Sequence, residues 1–320
     1  MKKFFVLWVA ISLCVPLLYA GGQKEAEKVN LIIATGGTAG TYYPFGGAMA
    51  QVWNTHIKGM NVTAQATGAS KENIRLVGKG EAELAIVQND VMDYAFKGIE
   101  LFNGEKIESF ATIATLYPEI VQIVVNPDSG INSVADMKGK SISVGDAGSG
   151  VEANAKQVLE AYGLTFSDLQ AKRLSFRESA SALKDKQIDG FFVTAGIPNP
   201  AIQEIATLGR VKLLSIDPAA KQKLMEKYKF YTPYTIKKET YSGMQQDAET
   251  LAVKATLIVS KKLKDDTVYN LTKVLFEQQP ALAQAHAKGK ELSLQEAVKG
   301  VSVPFHPGAE KYYKEKGVLK

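Results

Sequence analysis

Short runs of apolar residues alternate with stretches of helical periodicity along most of the chain. The runs are rich in Val, Ile and Leu and are only four to six residues long, which is typical of buried strands. Near the start this pattern predicts strands at 29–34, 61–66 and 84–88, and helices at 44–54, 71–77 and 90–96. Strands that alternate with helices in this way indicate an α/β fold with a largely parallel sheet and right-handed crossovers.

Two longer β-prone runs, at 113–125 and 251–260, interrupt the alternation. A second α/β series lies between them, with predicted strands at 141–144, 171–174, 190–194 and 211–216 and helices at 151–161, 179–186 and 200–207. Two more helices are predicted after the second run, at 265–277 and 280–288. We therefore expect two lobes joined by two crossing segments: lobe one of residues 29–119 and 255–320, and lobe two of residues 120–254. Two sequential domains on one linker are the alternative, but the C-terminal helices would then have no sheet to cover.

The first twenty residues have the three parts of a secretory signal peptide: a basic start, an apolar run at 4–18, and the small residue Ala20 before polar sequence. The run contains a proline and is shorter than a membrane-spanning helix. We expect cleavage after Ala20 and a periplasmic location. Lipid anchoring through Cys14 is a less favoured alternative, because Leu13 is large for an acylation motif.

Two glycine-rich loops, at 35–47 and 145–150, follow predicted strands at corresponding places in the two lobes. Neither has the spacing of a dinucleotide-binding loop or a P-loop. Glycine lets backbone approach a ligand closely, and the amides at a helix N-terminus suit an anion. We expect these loops to bind a small anionic solute through Thr38, Gly40, Thr41, Tyr42, Gly148 and Ser149.

Polar side chains also stand at the ends of other predicted strands and at the first crossing. They are Gln88, Asn89, Tyr117, Thr194 and Asn199. Ligands of α/β proteins bind outside the carboxyl ends of the strands, so we expect these residues to contact the solute as well. Asn199 could instead cap the helix that begins at Pro200.

Few catalytic motifs occur in the sequence. There is no His-Glu-x-x-His or Gly-x-Ser-x-Gly, and the three histidines are far apart, with His306 expected in a turn. The one Ser-x-x-Lys, at 181–184, lies inside an amphipathic helix and lacks its companion motifs. The net charge of +5 is too small and too scattered for a nucleic-acid surface. We expect a binding protein without catalytic residues, metal or cofactor.

Six short stretches, spread in order over nearly all of the chain after residue 28, carry a likeness to a known family. They are GGTAGTYYP (36–44), GASKEN (68–73), LYPE (116–119), VGDAGSG (144–150), FFVTAGIPNP (191–200) and HPGAEKYY (306–313). In these stretches the chain resembles the TAXI family of TRAP-transporter solute receptors, a branch of the class II periplasmic binding proteins.

The resemblance implies a periplasmic-binding-protein-like fold, with two Rossmann-like lobes joined by two crossing hinge segments and a solute enclosed between them. It implies a small carboxylate such as glutamate or glutamine as the solute, and the membrane subunits of an ion-gradient-driven TRAP permease as partners. The alternatives are an enzyme on the same fold, such as a deaminase or transferase, and a receptor for an ABC permease or a sensor.

Overall fold

The computed structural model describes residues 28–209 and 211–320. The expected signal peptide, its cleavage site after Ala20 and the alternative anchor at Cys14 lie outside the described residues and stay predictions. Among the helices of the described part, none is long and apolar enough to cross a membrane.

The described residues form one sheet of ten strands. The strands are β1 (Val29–Ala34), β2 (Met60–Gln65), β3 (Leu84–Gln88), β4 (Phe110–Val125), β5 (Ser141–Ser143), β6 (Gln170–Lys172), β7 (Gly190–Ala195), β8 (Lys212–Leu214), β9 (Thr232–Ile236) and β10 (Ala248–Ser260).

The same residues form eleven α-helices. They are α1 (Tyr42–His56), α2 (Ser70–Lys79), α3 (Asn89–Lys97), α4 (Gly150–Ala161), α5 (Phe176–Lys184), α6 (Pro200–Ala206), α7 (Pro218–Lys227), α8 (Asp265–Glu277), α9 (Gln279–Ala285), α10 (Leu294–Ala297) and α11 (Pro307–Glu315).

The sheet joins two groups of parallel strands through two long antiparallel ones. The strand order is β2-β1-β3-β10-β4-β7-β5-β6, with β8 paired to β4 and β9 to β10. β1 is parallel to β2 and β3, and β5 is parallel to β6 and β7, whereas β4 and β10 run antiparallel to each other and to their neighbours β7 and β3. The α/β class is confirmed. The expectation of a largely parallel sheet is wrong at the centre, because the chain leaves the first group along β4 and returns along β10.

The two central strands reach from one parallel group to the other. They contain 16 and 13 residues, and both are buried along most of their length. Pro118 in β4 lies opposite Lys254, next to a register shift in β10. A proline has no amide to donate to the ladder, so it is accommodated where the pairing is irregular. The lobe boundaries at 119/120 and 254/255 stay predictions.

Each group of strands has apolar clusters of its own. On the first group, α1 packs with α8 and α11, and Trp53, Tyr312 and Tyr313 are fully buried there. The indole nitrogen of Trp53 donates to the carbonyl of Leu271, at 2.9 Å. On the second group, consecutive residues of β7 point into different clusters, because side chains alternate between the faces of a strand. The C-terminal helices therefore cover the first group of strands.

Four elements, α7, β9, α10 and α11, were not predicted from the sequence. Both α7 and α11 begin with proline at the first helical position, which is a recognised start signal. His306, expected in a turn, is instead the buried N-cap of α11, and its Nδ1 accepts from the amide of Gly308 at 3.2 Å.

Candidate functional site

A cavity of about 210 Å³ lies at the carboxyl ends of the parallel strands. One side of its wall is made by residues at or after the ends of β1, β2 and β3, and the other by residues at or after the ends of β5, β6 and β7. Both groups of strands thus contribute to one cavity. This is the position at which open α/β sheets bind their ligands.

The loop between β1 and α1 forms much of the first side. Thr38 is exposed, whereas Thr41 is buried and is the N-cap of α1. The Thr41 side chain accepts no capping hydrogen bond, so its hydroxyl is left for another partner. The amide of Gly40 donates to the carbonyl of Gly37 at 2.9 Å, which folds the loop back on itself.

The start of α2 forms a second part of this side. Ala69 lies there with φ of +71°, a conformation that costs energy for a residue with a Cβ. Backbone strain of this kind is found mainly at functional sites. The hydroxyl of Ser70 accepts from the amide of Gln88 at 3.1 Å, which ties α2 to the end of β3. Neither Ala69 nor Ser70 was predicted as a site residue, because no sequence signal marks a strained alanine or its neighbour.

Two capped helices form the opposite side. Ser149 caps α4 by accepting from the amide of Glu152 at 3.1 Å, and Ser175 caps α5 by accepting from the amide of Glu178 at 3.3 Å. As acceptors both hydroxyls already have partners, and the Ser175 hydroxyl also donates to Glu178 Oε2 at 2.8 Å. The two helices therefore offer the cavity mainly backbone N–H groups and the hydroxyl proton of Ser149. The capping box Ser175–Glu178 is a signal in the sequence that could have predicted the start of α5.

Five helices of nine or more residues, α1 to α5, begin at residues that line or adjoin this cavity. The first amides of a helix have no acceptor within the helix, and the helix dipole adds positive potential there. The basic side chain that lines the cavity is that of Arg177, which is exposed. The positive potential of the site therefore comes mostly from backbone, an arrangement that suits a small anion.

Glu119 is the fully buried acid of the cavity wall. Its Oε2 accepts from the hydroxyl of Tyr42 at 2.6 Å. Burial raises the pKa of Glu119 to about 8, with Asp90 adding to the rise and the Tyr42 hydrogen bond and Lys288 opposing it. Burial and the nearby Glu119 also raise the pKa of Tyr42. Glu119 was not predicted as a site residue, because a lone glutamate inside a strand has no motif.

Two polar atoms of the wall are buried without a hydrogen-bond partner among the described residues: Oε1 of Gln88 and Oγ1 of Thr194. Such atoms are rare in proteins and call for a partner. The Thr194 hydroxyl could donate to an anionic group of a solute, whereas Gln88 Oε1 can only accept and needs a donor such as an N–H. Gln88 comes from the first group of strands, and its side chain lies against Gly150 at the start of α4. The contact is so close that a Cβ at position 150 would collide with the side-chain amide of Gln88. The two sides of the cavity meet at this contact.

The structure brings together seven of the eleven predicted solute-binding residues in the cavity wall. They are Thr38, Gly40, Thr41, Tyr42, Gln88, Ser149 and Thr194. Their contact with a solute stays a prediction. The wall also contains residues that were not predicted from the sequence, among them Ala69, Ser70, Glu119, Asp146, Ser175, Phe176 and Arg177.

Asn89 and Asn199 do not line the cavity and have other partners. Asn89 donates to the carbonyl of Gly300 at 3.2 Å and accepts from the amide of Lys254 at 3.0 Å. Asn199 caps α6, accepting from the amides of Ala201 and Ile202 at 3.0 and 3.3 Å. The structure thus places Asn199 in the capping role that the sequence left open.

Tyr117 and Gly148 also lie outside the wall. The ring of Tyr117 packs edge-on against Phe45, with 5.4 Å between ring centres, and its hydroxyl is buried without a partner among the described residues. Gly148 has φ of +75°, which favours glycine, and its amide donates to Glu152 Oε2 at 2.7 Å. Both residues support neighbours of the cavity wall.

The fold resembles that of several solved solute-binding proteins. The periplasmic aliphatic sulphonate binding protein SsuA from Escherichia coli is 15% identical, with 89% of this chain and 82% of that one covered and a TM-score of 0.51. PhnD1 from Prochlorococcus marinus, solved with methylphosphonate, is 9% identical over 90% and 96%, with a TM-score of 0.53. A binding protein component of an ABC phosphonate transporter from Pseudomonas aeruginosa is 13% identical over 82% and 79%, with a TM-score of 0.50.

The fold, with a cavity between two groups of strands, is that of the periplasmic binding proteins, which confirms the expected fold class. Within that class, the chain belongs to the NMT1-like family, whose model matches residues 33–317.

Proposed function

We propose that the chain is an exported solute-binding receptor of a transporter, and that its cavity encloses a small carboxylate such as glutamate or glutamine. The single observation that carries this proposal is the start of five helices at one cavity, with the hydroxyl oxygen of Thr194 buried and unpartnered in the described part of its wall. A carboxylate taken out of water needs donors to replace its hydration, and the amides and hydroxyls of this wall are such donors.

The partner that we propose is a TRAP permease of the TAXI type, which the six family-like stretches of the sequence favour. The solute would be held between two lobes, released at the membrane and carried inward by an ion gradient. A receptor for an ABC permease is the second candidate, because one structural neighbour is a component of an ABC phosphonate transporter. Joint reconstitution of the purified protein with each class of permease would distinguish the two.

The solute can be identified independently of the permease. The protein is purified without added solute and denatured, and the released small molecules are identified by mass spectrometry. Thermal denaturation is then followed with glutamate, glutamine, glutarate, methylphosphonate and an aliphatic sulphonate. A solute at 100 times its Kd stabilises the protein by about 2.7 kcal/mol. We expect a carboxylate to raise the melting temperature most and to be recovered unchanged. Recovery of a chemically altered solute would instead support the enzyme alternative.

A further inference from the structure

Glu119 has one carboxyl oxygen in use and one available. The side chain comes from β4, is 2% exposed and lines the cavity. Its Oε2 accepts from Tyr42 at 2.6 Å, whereas its Oε1 has no hydrogen-bond partner among the described residues. A solute in the cavity can therefore reach one oxygen of this group.

No cation of the described residues lies within ion-pair distance of Glu119. The charge of Lys288, in the segment Ala287–Glu291, lowers the pKa of Glu119, but the Lys288 amine already binds Glu291 Oε1 at 2.6 Å. Asp90, on α3, raises the pKa of Glu119, because a second negative charge nearby disfavours ionisation of the glutamate. A buried carboxylate without a paired cation is very costly, so the neutral acid is the stable form.

The other described elements packed around Glu119 bring no positive charge that would favour its ionised form. On β4 itself the nearest titratable neighbour is Tyr117, and the residue paired with Glu119 on β10 is Val253. Across the cavity the acid is Asp146, which is not among the groups that shift the pKa of Glu119. Burial raises the pKa of Glu119 to about 8, so the group carries a proton at neutral pH.

A neutral carboxylic acid is both acceptor and donor. Since Tyr42 donates to Oε2, the proton belongs on Oε1, the oxygen that is free for the solute. We propose that the Glu119 carboxyl donates a hydrogen bond to the anionic end of the solute, which makes Glu119 a specificity-determining residue. This inference rests on the proposed function. If Glu119 donates in this way, the solute must place a hydrogen-bond acceptor, such as a carboxylate oxygen, next to Glu119 Oε1. Binding then requires Glu119 to be protonated.

The test measures the affinity of the wild-type protein for glutarate between pH 7 and pH 9 by titration calorimetry. Glutarate has two carboxylates and no ammonium group, so its own charge does not change in this range. If the protonated acid is required, affinity falls by about tenfold between pH 7 and pH 9, because the protonated fraction falls by that factor. The Glu119→Gln protein keeps an N–H donor in the same place, so its affinity stays within about threefold across the range.

Two further variants separate this role from a merely structural one. Tyr42→Phe removes the hydrogen bond that lowers the pKa of Glu119, so the fall in affinity moves to higher pH. Asp146→Asn changes the other acid of the wall and keeps the fall in affinity where it is in the wild type, whatever it does to affinity itself.

The inference is overturned if the affinity of the wild type for L-glutamate rises from pH 7 to pH 9 and Glu119→Gln loses more than tenfold at pH 7, since Glu119 would then pair with an ammonium group. An infrared spectrum of the solute-free protein tests independently whether Glu119 is protonated. The carbonyl band of a protonated acid, missing in Glu119→Gln, is expected at pH 7, and its absence from the wild type overturns the inference. If neither glutarate nor glutamate binds, the proposed function fails for these solutes, while the infrared band still decides the state of Glu119.

Discussion

At the scale of single residues, conservative substitutions in the cavity wall can separate a side chain's role in binding the solute from its role in stabilising the fold. Thr41 is the clearest case, because it sits at the cap position of α1 without capping it. Its hydroxyl therefore contributes little to the stability of the helix, and removing it should affect only the binding of the solute.

Replacing Thr41 with valine removes the hydroxyl and keeps the shape of the side chain. If the hydroxyl donates to a carboxylate, the loss is about 1.5–3 kcal/mol of binding free energy, as is usual for a hydrogen bond to a charged group. The free energy of unfolding should change by less than about 0.5 kcal/mol. Calorimetry and urea denaturation measure the two quantities, and Thr41→Ser, which retains the hydroxyl, is the matched control. Loss of stability with intact affinity would make Thr41 part of the scaffold.

Glu119 should also control how stability depends on pH. Its pKa is raised from 4.5 to about 8 in the folded protein, so between these values the folded chain holds a proton that the unfolded chain has lost. The free energy of unfolding contributed by this group is thus greatest below pH 4.5 and is lost as pH rises through about 8, on the order of 5 kcal/mol.

Glu119→Gln cannot ionise and escapes this loss, so its stability relative to wild type should increase from pH 5 to pH 9. Urea denaturation of both proteins at the two pH values measures the difference. Glu105→Gln, at an exposed position, is the control and should follow the wild type. A constant difference between Glu119→Gln and wild type would show that Glu119 is already ionised at neutral pH.

At the scale of elements, the helix starts organise the site, and each start depends on particular local contacts. Asn199 caps α6, the helix that follows β7, but it does not line the wall. Its side-chain oxygen thus accepts hydrogen bonds from the first turn of this helix.

Replacing Asn199 with alanine should lower the free energy of unfolding by about 1 kcal/mol, the usual cost of losing an N-cap. Solute affinity should remain within about twofold of the wild type. A denaturant melt and a binding titration on the same preparation check both expectations, and Asn199→Asp, which can still cap, is the control. A large drop in affinity at unchanged stability would return Asn199 to the set of solute-binding residues.

The start of α4 lies against β3 only because position 150 has no side chain. In Gly150→Ala the new methyl group would collide with the amide of Gln88, so the close approach of α4 to β3 should be harder to form. We expect at least a tenfold loss of solute affinity with little loss of stability, since alanine is well tolerated in a helix.

The matched experiment is a double-mutant cycle. In a Gln88→Ala background the collision is absent, so adding Gly150→Ala should cost no further affinity. Equal losses in both backgrounds would mean that the contact between these two residues does not limit binding.

At the scale of the whole molecule, polar contacts link the two groups of strands away from the cavity as well. Asn154 on α4 donates to Asp90 on α3 at 2.9 Å, and Gln157 on α4 donates to the Tyr94 hydroxyl at 3.0 Å. These contacts are buried and can form only when α3 and α4 lie together. This arrangement of α3 against α4 is what a closed receptor would have.

If the proposed lobes move about β4 and β10, the protein without solute should be more open than this structure. Small-angle X-ray scattering should then show a smaller radius of gyration after saturation with the solute identified by mass spectrometry. Thr41→Val at a solute concentration below its Kd serves as the control and should keep the larger value. An unchanged radius of gyration in the wild type would argue against hinge closure and against the two-lobe division.

Much of the element pattern was determined by the sequence alone, because it depends on neighbours along the chain. The apolar runs at 29–34 and 84–88 became β1 and β3, and the amphipathic stretch at 265–277 became α8 with the expected bounds. The glycine-rich loops were likewise visible, since a loop between a strand and a helix is a local feature. These local features were enough to predict the α/β class and seven of the residues in the cavity wall.

Only the tertiary structure decided how these elements face each other, because that depends on contacts between distant parts of the chain. Tyr42 meets Glu119 across 77 residues, and the antiparallel centre of the sheet pairs β4 with β10. Asn89 follows directly after Gln88, yet it is held by Gly300, 211 residues away, and does not line the cavity. Adjacent polar residues at a strand end look alike in sequence, and the packing of remote segments determines which of them reaches the cavity.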